Sequence, residues 1–342
     1  MDIKKQPREG GGPAERPTLK TIAFMTGLGI TTVSRALKDA PDIGAETKER
    51  VRMVARQLGY QPNRAGVRLR TGKTNVIALV LSVDEEIMGF TSQMVFGISD
   101  VLTGTPYHLV VTPYSLSKDP LLPVRYVVDT ASADGVIISR IEPDDPRVRL
   151  LAENNIAFAT HGRTENGFVH PYHDFDSEAY ARDAVKALVA KGRQRIALLH
   201  PPSRLTYYGH TRVGFQAALH EHGAEEIPLR VNIDAPLTDI RDEIEALMRS
   251  PHRPDGIVSS SASGAIAINA GIAAAGLVLG KDLDVVSKQS GEILNWIAPE
   301  MITCFEDVRH AGRELARALI RRIEGVEPES LQSISSPIWP TG

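Results

Sequence analysis

Thr31, Thr32, Ser34 and Arg35 fall within the run Thr31-Thr32-Val33-Ser34-Arg35-Ala36-Leu37. Three short hydroxyl side chains and one planar guanidinium suit base edges and phosphate oxygens in a DNA major groove, provided one helix presents them together. The spacing predicts such a helix over about residues 30–37, because Ile30, Val33 and Leu37 recur on its opposite, apolar face. Upstream, Thr18 can cap a helix carrying Leu19, Ile22, Ala23 and Met25, which Gly27 ends. Downstream, a third helix over about 45–58 adds Val51, Val54 and Leu58 to the same small core, with Tyr60 as a core aromatic. Two helices, a tight turn and a third helix make a DNA-binding head, although a solvated basic face on a small helical unit has the same pattern. Charge favours DNA. Residues 1–75 hold 15 Lys and Arg against 7 Asp and Glu, a net of +8, while the whole chain is −3 and the remainder therefore −11. A cationic head on an anionic body points to a polyanion at the head alone.

The rest of the chain bounds the remaining possibilities. With 342 residues and 42% hydrophobic content it can bury a large core in two or three units. Residues 1–17 are polar and rich in Gly and Pro, and read as a disordered tail rather than a signal peptide. Since no stretch approaches about 18 consecutive apolar residues, no membrane partner is expected. One cysteine, Cys304, reads as a small buried residue; it excludes an intramolecular disulfide and a multi-cysteine metal site, and fits a reducing cytoplasm, where the protein is expected.

After Thr74 the pattern changes to short, β-branched runs alternating with helical stretches. Strands are predicted at 76–81, 108–112, 135–139, 157–160, 195–199, 256–259 and 283–286, with helices at 93–102, 124–132, 147–154, 177–191, 210–222, 239–249, 265–275 and 308–324. This alternation implies open parallel sheets with helices on both faces, enough for two similar lobes around a cleft. Ligands of such sheets lie beyond the carboxyl ends of the strands. An enzyme would need reactive groups at that place, yet there is no Gly-x-Ser-x-Gly elbow, no Gly-rich phosphate loop after the first strand and no His-Glu-x-x-His pair. His161, His170, His173 and His210 lack metal spacing; His170 and His173 read as hydrogen-bonded loop residues. No catalytic residue, metal or cofactor is expected.

The chain resembles the LacI/GalR family of transcriptional regulators. The resemblance rests on Thr18-Leu19-Lys20, Thr32-Val33-Ser34-Arg35-Ala36-Leu37, Leu58-Gly59-Tyr60-Gln61-Pro62-Asn63-Arg64 and Leu69-Arg70-Thr71-Gly72-Lys73-Thr74, in order and at family spacing. Weaker matches, among them Asp134-Gly135-Val136-Ile137-Ile138, Gly192-Arg193-Gln194-Arg195-Ile196-Ala197 and Gly214-Phe215, extend it from residue 18 nearly to the end. The resemblance implies a helix-turn-helix head, a hinge helix, and a two-lobed body like periplasmic sugar-binding proteins. The expected division is a tail over 1–17, a head over 18–62, hinge and linker over 63–74, and an effector-binding and dimerisation body over 75–342. Within the body, one lobe spans about 75–164 and 303–325, the other about 165–302 and 326–342.

By that resemblance Thr31, Thr32 and Ser34 face the groove, Arg35 reads bases or anchors the backbone, and Lys38 meets phosphate. Asn63–Arg70 becomes the hinge helix, with Leu69 as a wedge in the minor groove and Arg64, Arg68 and Arg70 holding phosphates around it. Three positions depart from the family: Gly29 and Gly44 stand where helix-capping hydroxyls are usual, and Gly66 replaces a hinge alanine, costing about 0.5–1 kcal/mol of helix propensity. In the cleft, the resemblance nominates Phe90, Arg163, Asp176, Arg182 and Phe215 as effector contacts. Ser261 stands where an Asn-Asp pair is usual and Gln289 where an Asp is usual, which changes the expected hydroxyl pattern. The Thr160-His161-Gly162-Arg163 run is similar to regulators of α-glucoside operons. The function implied is a homodimeric repressor of a carbohydrate-use operon that binds a pseudo-palindromic double-stranded operator and is released by a mono- or disaccharide. A corepressor-dependent regulator and a sugar-binding protein without a DNA role are the alternatives. With no Leu heptads at the C-terminus, a tetramerising coiled coil is not expected.

Overall fold

In a computed structural model, the described residues are 17–60, 72–82 and 89–340. The expected tail up to residue 16 and the hinge residues 63–71, including Asn63, Arg64, Arg68, Leu69 and Arg70, lie outside them. The chain divides into two compact units between Thr74 and Asn75.

The first unit holds α1 (Leu19–Thr26), α2 (Ile30–Leu37) and α3 (Ala45–Gln57). Thr18 caps α1 in a reciprocal box with Thr21, and Gly27, in the left-handed region at φ +69°, closes its last turn. Ile22, Ala23, Val33, Ala36, Val51 and Ala55 are its buried core, and Tyr60 packs against it. Ile30, expected in that core, is 45% exposed. It opens α2 directly after the Gly29 cap, where a side chain reaches past the end of so small a core.

The second unit contains two parallel sheets. The first has the order β11-β5-β4-β3-β1-β2, built from β1 (Val76–Ser82), β2 (His108–Tyr114), β3 (Gly135–Ile138), β4 (Ala157–His161), β5 (Tyr172–Phe175) and β11 (Gln332–Ser335). The second has the order β10-β9-β8-β6-β7, from β6 (Arg195–Leu199), β7 (Glu225–Ile227), β8 (Gly256–Ser259), β9 (Asp284–Gln289) and β10 (Ile302–Phe305). Strand residues alternate between two apolar layers, as sheets covered on both faces require. In the first sheet Ile77 and Leu79 pack against α4 (Phe90–Leu102) and α12 (Val308–Ile323), while Ala78 and Val80 meet α5 (Leu121–Thr130) and α6 (Pro146–Glu153). In the second, Ile196 and Leu198 face α7 (Ser177–Ala190) and α8 (Thr206–His222). Ala197 and Leu199 face α9 (Leu237–Met248), α10 (Ala262–Ala274) and α11 (Ile293–Ile297). Among the described residues no helix is long and apolar enough to cross a membrane.

The lobe boundaries differ from the expected ones. β5 and β11 belong to the first sheet although residues 165–302 and 326–342 were assigned to the second lobe, and β10 belongs to the second sheet although it was placed in the first lobe. β5 carries His173 and Asp174 in place of an apolar run; the two ring nitrogens of His173 each lie 2.9 Å from a hydroxyl of β11, those of Ser333 and Ser335. The chain therefore crosses between lobes after β5, after β10 and after β11. These crossings are tied to one another: Asp176 N donates to Ser335 O at 2.9 Å, and Phe305 N to Ile338 O at 2.8 Å.

Gly214 lets α8 lie against α7: a Cβ there would sit 2.0 Å from the Glu178 carbonyl oxygen. Gly214→Ala must push two helices apart, so it is expected to cost about 1–3 kcal/mol and lower the thermal midpoint. A wild-type midpoint in a thermal unfolding scan would contradict this packing.

Candidate functional site

On the first unit, packing of Val33 and Ala36 inward turns the other face of α2 outward. Thr31, Arg35 and Lys38 are exposed, Thr32 and Ser34 half-buried. Arg35 pairs with Asp42 at 2.7 Å, both about half exposed. Gly29 offers no side chain to the first turn of α2. The helices behind this face are cross-tied: Arg50 donates to the Thr26 carbonyl at 2.5 Å, and Asp39 is held by Lys48 at 3.0 Å and Arg52 at 2.9 Å. The result is a cross-braced face bearing hydroxyls and cations.

In the second unit a cavity of about 460 Å³ lies at the carboxyl ends of strands from both sheets. Ser139 and Arg140 follow β3, His161 ends β4, Asp174 and Phe175 end β5, and Phe90 opens α4 on the first lobe's side. Tyr207, Asp234, Ser261, Lys288 and Gln289 line it from the second, and Glu306 from the crossing after β10. Lys288 Nζ lies 2.7 Å from Glu306 Oε2 and over the rings of Phe175 and Tyr207, at 5.0 and 5.5 Å. His161 Nε2 is 3.9 Å from the other oxygen of Glu306, and its ring meets Phe90 edge-on. Burial pushes the Glu306 carboxyl up, but the charges of Lys288 and then His161 outweigh it and hold the group below its ordinary value.

Two further ion pairs line the cavity. Arg163 Nε is 3.4 Å from Asp174 Oδ2, and burial keeps the Asp174 carboxyl above its usual range despite that partner. Arg140 reaches Asp234 at 2.5 Å. Three cations thus face three carboxylates. Ser139, Thr206 and Ser260 add buried hydroxyls with no hydrogen-bond partner among the described residues. Beside the cavity, His173 is held neutral, its pKa pushed down to about 3 by burial and by His161 and His310.

The cavity brings together four of the seven nominated residues: Phe90, Arg163, Ser261 and Gln289. Ser261 spends its hydroxyl as the cap of α10, accepting from Gly264 N at 3.0 Å. Gln289 donates to Asn295 Oδ1 at 2.9 Å and accepts from Leu294 N at 3.2 Å, so its amide braces α11. The other three do not line the cavity. Phe215 is fully buried in the apolar core of the second lobe, because its place on α8 points into the sheet. Asp176 caps α7 through Ala179 N at 2.8 Å, and Arg182 pairs with Glu178 one turn before it; both line a smaller hollow of about 210 Å³ outside the cavity. Arg140, Asp234, Lys288 and Glu306 also line the cavity, without having been nominated. Arg140, Lys288 and Glu306 each stand at or just after the carboxyl end of a strand, the position where an α/β ligand site is expected.

Removing the Lys288 cation should raise the Glu306 pKa and strand a buried carboxylate. Lys288→Met is expected to lower stability near neutral pH, by up to the ~3–5 kcal/mol of a broken buried pair. In the wild type the Glu306 contribution is present above the ordinary carboxylate pKa and lost as pH falls through its lowered value; in the variant, protonation removes the penalty. Thermal midpoints of the two proteins should therefore converge as pH falls from 7 to 4, and a gap independent of pH would refute the pairing.

The sequence pattern of bacterial regulatory proteins of the LacI family matches residues 18–63, and that of a periplasmic binding protein-like domain matches residues 185–338. The HTH-type transcriptional regulator AglR of Rhizobium meliloti (strain 1021) is 32% identical over 325 residues, covering 91% of this chain and 90% of the relative. The lac repressor dimer bound to operator and the anti-inducer ONPF has a similar fold, with a TM-score of 0.81, 21% identity and coverage of 96% of this chain and 98% of that one. A complex of the transcriptional regulator CelR with cellobiose follows at a TM-score of 0.68 and 24% identity, covering 95% and 99%.

Proposed function

Because the chain belongs to the LacI family of bacterial regulatory proteins, we propose that it is a homodimeric repressor of a carbohydrate-use operon, released from its operator by a small neutral sugar. The observation that carries the DNA half is the outward face of α2 on a unit, residues 1–74, whose 15 Lys and Arg against 7 Asp and Glu give a net charge of +8. Thr31, Thr32, Ser34 and Arg35 meet the major groove, Lys38 meets phosphate, and the open first turn of α2 offers backbone N–H groups to a phosphate. Arg35 gives up Asp42 cheaply, since a half-exposed ion pair is worth only about 0–1 kcal/mol. Asn63, Arg64, Arg68, Leu69 and Arg70 are assigned to the hinge on the family pattern alone. Two heads on a two-fold axis match two half-sites of a pseudo-palindrome; the relative lac repressor is named as a dimer bound to operator.

The cavity supports the sugar half. Arg140, Arg163 and Lys288 are matched by Asp234, Asp174 and Glu306, its inner wall carries hydroxyls without hydrogen-bond partners among the described residues, and Phe90, His161 and Tyr207 supply ring surfaces for C–H faces. Arg163, Asp174 and Lys288 with Glu306 are the charged groups we assign to ligand hydroxyls, while Ser261 and Gln289 shape the wall. CelR is the relative described with cellobiose. Asp174, Asp234 and Glu306 are each held by a cation, and no catalytic role is assigned to them.

Gel retardation with DNA from upstream of the protein's own gene tests the DNA half. With 6–10 phosphate contacts, affinity should fall by about 10³–10⁵ between 50 and 200 mM salt. Arg35→Ala should narrow the gap between operator and random DNA, whereas Lys38→Ala should mainly flatten the salt slope. No retardation at low salt would leave a sugar-binding protein without a DNA role, and undiminished selectivity of Arg35→Ala would remove Arg35 from base readout.

A further inference from the structure

Arg140 is the one non-glycine residue lining the cavity, among those described, with a positive φ, at +57° in the left-handed region that favours glycine. Its side chain is only 4% exposed, and it points from the first lobe to Asp234 on the second. Such a conformation persists where surrounding groups over-determine it, and here they do. Arg147 Nη2 donates to the Arg140 carbonyl oxygen at 2.8 Å. Arg147 is itself locked against Asp145 through Nε at 3.0 Å and Nη2 at 2.6 Å, in a pair almost wholly buried. Asp145 also caps α6 and accepts from Glu142 N at 3.1 Å, so the segment after β3 is tied at both ends. The next residue bridges the lobes by backbone: Thr206 N donates to Ile141 O at 2.9 Å. Arg204 of the second lobe lies 3.7 Å from Asp234 and 4.0 Å from Glu142.

The fold therefore spends a buried ion pair and a disfavoured backbone conformation on aiming one guanidinium at one carboxylate across the cavity. We infer that Arg140 and Asp234 are specificity-determining residues of the effector site, which read two neighbouring hydroxyls of a neutral saccharide, Arg140 donating and Asp234 accepting. Asp145 and Arg147 are their positioning residues. The inference rests on the effector reading above and deepens it in two ways. It assigns the recognising groups to residues contributed one by each lobe, so a hydroxyl pair held between them fixes the distance between the lobes. It also selects against phosphorylated sugars, because Asp234, Asp174 and Glu306 already neutralise the cations Arg140, Arg163 and Lys288 that a phosphate would need.

The test uses the full chain. Thermal shift and titration calorimetry are run with cellobiose, maltose, sucrose, melibiose and glucose 6-phosphate. At least one neutral disaccharide should raise the midpoint, and glucose 6-phosphate should not. For that disaccharide, Asp234→Asn and Arg140→Lys should each weaken binding by about ten- to a hundredfold, the effect expected for a lost or misdirected charge-assisted hydrogen bond. Asp234→Asn should also reorder the sugar panel, which a purely structural role would not do, and it is isosteric should Arg140→Lys unfold. Arg147→Met should lower affinity without reordering the panel. Wild-type affinity and rank order in Asp234→Asn overturns the inference while leaving the sugar reading intact, and so does tighter binding of glucose 6-phosphate. If none of the disaccharides moves the wild-type midpoint, the inference and the sugar reading fall together, and gel retardation still decides the DNA half separately.

Discussion

Charge enclosed between the two lobes has to be neutralised inside the cleft, and that requirement organises the second unit. Glu306 sits on the crossing after β10, where it meets Lys288 from one sheet and His161 from the other. Arg140 and Asp234 close a second contact from lobe to lobe. Away from bulk water these energies vary steeply with distance, so a change in the separation of the lobes is felt first at these pairs. A ligand rich in hydroxyls can enter such a site by exchanging hydrogen bonds with it, without bringing a charge of its own. The three tied crossings restrict the motion open to the lobes, and the cavity lies beside them.

The first unit obeys a different constraint. Among the described residues six buried apolar side chains make its core, too few to cover both faces of α2. The polar face is left outward by packing, and the cross-ties from Arg50, Lys48 and Arg52 keep it in one geometry. Preorganisation of this kind lowers the entropy lost on meeting DNA. Its own ion pairs are mostly exposed and therefore weak, so they compete poorly with phosphates.

What could be read from the chain follows from how local each signal is. The head was legible because capping, periodicity and charge of Thr18 to Leu58 all point the same way. Seven strands of the body were legible because they are short apolar runs, six of them mostly buried and the edge strand β2 largely exposed. β5, with Tyr172-His173-Asp174-Phe175, was not, since its buried His173 is satisfied by Ser333 and Ser335 some 160 positions away. That same long-range pairing moved the lobe boundaries. In the cleft, Phe90 and Arg163 line the cavity, whereas Phe215 is buried in the apolar core and Asp176 and Arg182 line the smaller hollow; a motif gives a residue's position on a helix without the face it turns. Arg140 and Asp234 carry no local signature at all; their partnership spans 94 positions and exists only once both sheets are built.

The central claim is that the cavity and the α2 face bind separate ligands that influence one another. By linkage, a sugar that weakens operator binding must itself be bound more weakly, by the same factor, when operator is present. Operator affinity measured by fluorescence anisotropy across a titration of a bound disaccharide, together with disaccharide affinity measured with and without operator, gives both factors. The account predicts that operator affinity falls at saturating sugar and that the two factors agree. Operator affinity that stays constant from zero to saturating sugar would contradict it.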